Sequence, residues 1–194
     1  LSNLDAKLRS EMRLELRELQ DRINITTLYV THDQVEALSM SNRIAVMRDG
    51  HLVQVDPPRE IYMRPTGSFI ATFMGSTNLI PGTLTRDAES VWAVETAIGT
   101  FQSTKTSDVG AGQPVLLTIQ PVNVRVHPET NHTVNVVKGT VVLTVFCGDF
   151  VDCQFSVDNQ TIYGRYHPSL ELSKGQQVYI ELPAEHCIAL APDS

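Results

Sequence analysis

His32 is the residue of this sequence best placed to do chemistry. It stands in "TTLYVTHDQVEALSMSNRI", residues 26–44, where a β-branched and aromatic run stops and a helical pattern starts at once. Residues 26–30 read as a short strand. The residues after His32 read as a helix, with Asp33 and Glu36 as its capping pair and Val35, Ala37 and Leu38 on its buried side. In a parallel sheet, ligands gather outside the carboxyl ends of strands. An imidazole just past such an end can hydrogen-bond a ligand gathered there. The bland alternative is a loop histidine that merely precedes a capped helix. Asp5 poses a similar choice, because an aspartate in a first helical turn also simply meets the helix dipole.

The elements that must position these residues follow from the pattern around them. Residues 4–23 predict one helix, with Leu4, Leu8, Met12, Leu16, Leu19 and Ile23 as an apolar stripe at three- and four-residue steps. Arg9, Arg13, Arg17, Glu11, Glu15 and Glu18 fall on its other face, which reads as solvated. Ser2 and Asp5 give that helix a start resembling a capping box. "RIAVMRDGHLVQV" predicts a hairpin turning at Asp49-Gly50. "PPREIYMRP" predicts a helix opened by proline, and "SFIATFMG" another, capped by Ser68 and stopped by Gly75.

The texture changes after Gly75. Residues 76–194 alternate in short apolar–polar runs broken by turn signals, which predicts an all-β domain, barrel or sandwich. A weak internal repeat runs through it. Gly82-Thr83, Gly112-Gln113 and "TIQP" are echoed by Gly139-Thr140, Gly175-Gln176 and "IELP", and two similar β units in one domain would explain this.

Bulk properties narrow the function classes. With 194 residues and 42% hydrophobic content, the chain can bury a core. Residues 1–75 hold nine Lys/Arg against ten Asp/Glu, whereas residues 76–194 hold six against twelve. The net charge of −7 therefore belongs mostly to the β part, and it argues against nucleic-acid binding, which needs a basic face. Cys147, Cys153 and Cys187 make no CxxC and point to free thiols in a reducing compartment, and the six histidines lack ligand spacing, so no metal site is expected.

"LSNLDAKLR" followed by "TTLYVTHDQVEALSMSNRIAVMRDGHLVQVDPPREIYMRPTGSFIATFMG" resembles the end of the nucleotide-binding domain of an ABC importer ATPase. The likeness is to the branch that includes the maltose, glycerol-phosphate, polyamine and ferric-iron importers. It implies that residues 1–75 are an α/β remnant of that domain and residues 76–194 the TOBE extension with its OB-like fold. It implies that His32 is the switch histidine. It also implies that Ser2, Asn3, Leu4 and Asp5 form the D-loop, which crosses a dimer interface and couples two ATP sites. Expected partners are a second copy of the subunit and transmembrane permease subunits, at the inner face of the cell membrane, with ATP and Mg²⁺ in a full-length parent.

No G-x-x-x-x-G-K-[ST], "LSGGQ" or Walker B carboxylate occurs in these residues, and no initiator Met. The expectation is a fragment, inactive alone, whose first part is disordered or pairs with a second chain by swapping or edge contact. A rival expectation makes the β part a sensor of an oxyanion or sugar. Against it, Ile119-Gln120-Pro121-Val122 stands where many relatives have "IRPE", losing both an arginine and a glutamate.

Overall fold

The computed structural model describes residues 2–75, 77–86, 91–103, 105–106, 109–129 and 134–192, with the backbone alone for 2–7, 9, 10, 105 and 106. The chain divides into two compact units, Leu1–Pro65 and Thr66–Ser194. The division falls before the change of texture at Gly75.

In the first unit, α1 (Ser2–Ile23) precedes an extended segment, then α2 (Gln34–Met40), the hairpin β1 (Ile44–Arg48) and β2 (His51–Asp56), and α3 (Pro58–Met63). The hairpin turns where the sequence places it. Asp49 and Gly50 both take positive φ, 51° and 78°, the pairing that matches the right-handed twist of the strands. Proline occupies the first turn of α3, where its missing N–H costs nothing.

Two expectations fail here, the strand at residues 26–30 and the solvated charged face of α1. Residues 26–30 are extended but form no strand, because a strand needs a neighbour to receive its N–H and C=O groups. Leu28 and Val30 are 92% and 88% exposed. The apolar stripe of α1 is open as well, with Leu8, Met12, Leu16, Leu19 and Ile23 all exposed. Its charged face makes the contact instead: Arg13, Arg17 and Gln20 are half-buried, and Arg17 Nη1 donates to the Met40 carbonyl at 3.0 Å, closing α1 onto the end of α2. An apolar stripe is buried only where a matching apolar surface faces it, and among the described residues of this unit none does.

The second unit begins with α4 (Ser68–Phe73). Its N-cap is Gly67, and Ser68 lies inside the first turn, where its carbonyl accepts from Thr72 Oγ1. The strands follow: β3 (Asn78–Arg86), β4 (Trp92–Thr96), β5 (Gly99–Gln102), β6 (Lys105–Thr106), β7 (Pro114–Ile119), β8 (Arg125–His127), β9 (Val136–Phe146), β10 (Val151–Val157), β11 (Gln160–Tyr166), β12 (Gln177–Glu181) and β13 (Ile188–Leu190). Short 3-10 turns, Pro121–Asn123 and Ala184–His186, precede β8 and β13. Among the described residues they build two sheets, ordered β5-β4-β3-β7-β13-β6 and β11-β10-β9-β12-β8. Leu84, Phe101, Leu117, Phe155, Ile162 and Ile180 are fully buried in a core common to both sheets.

The sequence repeat is a structural repeat. Gly112 N–H bonds the Leu84 carbonyl at 2.7 Å, and 63 residues on, Gly175 N–H bonds the Val141 carbonyl at 2.8 Å. Gly82 and Gly139 are matched too. A Cβ on Gly82 would lie 2.5 Å from the Glu95 carbonyl, which bars a side chain there, and one on Gly139 would lie 2.6 Å from Ile180 Cδ1, which would have to move aside. The repeats also exchange their last strands: β8 pairs with β12 in the sheet of the second repeat, and β13 with β7 in the sheet of the first.

Two asparagines fasten the exchange. Asn78 Oδ1 accepts from Tyr163 N at 2.7 Å while its Nδ2 donates to the Tyr163 carbonyl at 2.9 Å. Asn135 does the same to Gln102, at 2.6 and 2.8 Å, and also donates to the Leu182 carbonyl at 2.8 Å. Each thus caps the backbone of an edge strand, β11 or β5, from the opposite repeat. Asn135 sits at φ 56°, a left-handed conformation asparagine tolerates.

Two outcomes are expected. Asn135→Gly keeps that backbone but strips the bonds to Gln102 and Leu182, for a loss of about 3 kcal/mol and a drop of roughly 6–12 °C in the melting temperature; an unchanged melt would refute the role. The second concerns Glu181, which bridges the exchanged strand β8 through Arg125 at 3.1 Å and His127 at 2.7 Å. Burial works to raise its carboxyl, but the hydrogen bond from His127 and the charge of Arg125 outweigh it and hold it below the ordinary value. A depressed carboxylate stabilises above its unfolded pKa, and that contribution is lost as pH falls through the folded one. Between about pH 5 and about pH 3 the protein should therefore lose more melting temperature than Glu181→Gln does; equal losses would refute it.

Candidate functional site

The first unit holds His32 on a short bend between the extended segment and α2. Asp33 is the N-cap of α2, as its position predicts. Its Oδ1 accepts from the N–H of Val35 at 2.8 Å and of Glu36 at 3.1 Å, filling two of the open donors of the first turn. Those bonds, the one from Glu36 foremost, hold its carboxyl below the ordinary aspartate value.

Glu36 does not close the expected capping box by bonding Asp33 N–H directly. A hydroxyl stands between them. Asp33 N–H donates to Thr31 Oγ1 at 3.0 Å, and Thr31 Oγ1 donates to Glu36 Oε2 at 2.7 Å. Tyr29 OH donates to the same Glu36 oxygen at 3.1 Å. The hydrogen bond and charge of Glu36 push the Tyr29 phenol up from its usual pKa. Val35, expected on the buried side of α2, is exposed, and Met40 is the residue of that helix that is buried.

His32 is exposed, and no group among the described residues hydrogen-bonds its ring. The backbone is tied down on both sides of it while the imidazole is left open to a ligand. Ser2, Asn3, Leu4 and Asp5 form the first turn of α1. Their side chains lie outside the described residues.

The second unit offers no comparable cluster. Cys153 and Cys187 are buried, and burial pushes the Cys187 thiol up to about 12. Cys147 is exposed. Gln120 is half-buried and Val122 exposed, at the positions where an arginine and a glutamate were expected of a sensing site. Among the described residues no three His, Cys, Asp or Glu gather as metal ligands, and no helix is long and apolar enough to cross a membrane. The reciprocal asparagines are functional only in holding the fold. The sequence shows them at matched places in its repeat, but nothing in their type marks them as clasps.

The family model described as TOBE domain matches residues 117–190. The spermidine/putrescine import ATP-binding protein PotA of Thermotoga maritima is 40% identical over 152 residues, 76% of this chain and 41% of that protein. PotA of Ruegeria pomeroyi is 34% identical over 190 residues, covering 95% of this chain and 51% of that protein. The Fe(3+) ions import ATP-binding protein FbpC of Fusobacterium nucleatum is 57% identical over 84 residues, 43% of this chain and 23% of that protein. The chain thus spans about half the length, or less, of the relatives it matches. Among solved structures, the cytoplasmic molybdate-binding protein ModG, with molybdate bound, matches 59% of this chain and 96% of its own with a TM-score of 0.50 at 14% identity, a likeness of fold alone. Over nearly its whole length the chain is thus similar to ATP-binding proteins of ABC importers, and residues 117–190 match the TOBE domain.

Proposed function

We propose that these residues serve a full-length ATPase that powers solute import, in which residues 1–75 end the nucleotide-binding domain and residues 76–194 form a regulatory or dimerising β domain. The observation that carries the reading is His32, whose flanking residues are fixed and whose ring is free. In the full protein its imidazole would hydrogen-bond the γ-phosphate and the attacking water, orienting an in-line displacement. Ser2, Asn3, Leu4 and Asp5 would form the loop that reports across to a second copy of the subunit. The partners would be that second copy and membrane-embedded permease subunits, which would hold the protein at the inner face of the membrane.

ATP and Mg²⁺ fit only part of this chain. The 194 residues contain no glycine-rich phosphate cradle with its lysine, so no step is assigned to them beyond the orienting work of His32. A sensing role for the second unit gains no support from the likeness to a molybdate-binding protein, which is one of fold.

In the full-length ATPase, His32→Ala should lower ATP turnover by about 100-fold or more while nucleotide binding persists. Steady-state hydrolysis with a parallel equilibrium binding measurement checks this. Turnover close to the unmodified rate would overturn the reading.

A further inference from the structure

Glu36 stands where a capping-box carboxylate belongs, three residues after the N-cap. Capping does not require it, since Asp33 alone satisfies Val35 and Glu36 N–H. Its carboxylate turns instead to the segment that leads into His32. It collects two hydroxyls there, Thr31 Oγ1 at 2.7 Å and Tyr29 OH at 3.1 Å. Thr31 then passes the connection on to the Asp33 N–H at 3.0 Å. Residues 29 and 31, on one side of His32, and residue 33, on the other, are thereby bound to one turn of α2. This hydroxyl–carboxylate joint therefore ties the residues before and after His32 to α2.

We propose that Glu36 is a positioning residue for His32, acting through the hydroxyls of Thr31 and Tyr29. The inference rests on the reading of His32 as the group that contacts the γ-phosphate. An ionised carboxylate accepting from two neutral hydroxyls gives short, directional bonds. Its neutral isostere, a glutamine, keeps an oxygen that accepts both. Loss of the oxygen, or of the Thr31 hydroxyl, frees the bend by rotation about a few backbone bonds, and a displacement of about 1 Å at a catalytic group can cost up to about a hundredfold in rate.

The test uses the full-length ATPase with four variants, Glu36→Ala, Glu36→Gln, Thr31→Val and His32→Ala, and measures kcat and KM for ATP together with the melting temperature. Glu36→Ala and Thr31→Val should each lower kcat about tenfold or more, with KM within about twofold and the melt unchanged. Glu36→Gln should restore most of kcat. Thr31→Val keeps the side-chain volume, so it carries the test even if Glu36→Ala fails to fold. The proposal is overturned if His32→Ala abolishes turnover while Glu36→Ala and Thr31→Val keep full kcat. It is overturned equally if those two variants lower the melt and raise KM in step with kcat, or if Glu36→Gln is as impaired as Glu36→Ala. Normal turnover in His32→Ala would sink the functional reading itself, and this inference with it.

Discussion

The second unit depends on one constraint: backbone N–H and C=O groups at a sheet edge must find partners or remain open to other chains. Its two repeats meet that demand for each other. Asn78 supplies a donor and an acceptor to Tyr163 in one edge strand, and Asn135 supplies the same pair to Gln102 in the other. An amide side chain is the natural choice, because it carries both functions at the spacing of a backbone peptide group. The exchange of β8 and β13 extends this reciprocity. Neither repeat completes its sheet alone, so the two fold as one body around a core that draws residues from both.

Much of this unit is legible in the sequence because its signals are local. Alternation of apolar and polar residues marks the strands from β3 to β13. Only the two-residue β6 escapes, being too short to show a period. The glycines of the repeat are legible as well, since they answer close contacts and positive φ that other residues do not accept. The pairing partners are not legible. "VNVRVHP" and "HCIALAP" read as strands, yet nothing within them says that each joins the other repeat's sheet. Such pairing is decided by contacts between residues more than fifty positions apart.

The first unit inverts the usual expectation. Periodicity predicts its helix α1 and its apolar stripe, but period reports that a stripe exists and not whether a surface waits for it. Arg17, counted among solvated charges, makes the contact with α2 through the Met40 carbonyl, while the leucines stand open. The same reason undoes the strand at residues 26–30. β-branched residues favour extended backbone, but strand pairing needs a neighbour, and local sequence cannot supply one.

Around His32 the two kinds of information separate cleanly. The cap at Asp33 and the Thr31–Glu36 joint involve residues within five positions of one another, so this short stretch encodes its own bend. Leu28 and Val30, which lead into it, are open on one face of the extended segment. Local bonds hold the bend, whereas its placement depends on whatever packs over those two side chains. A residue that orients and one that is placed from afar answer differently to mutation. The first changes rate at constant affinity, whereas the second changes both.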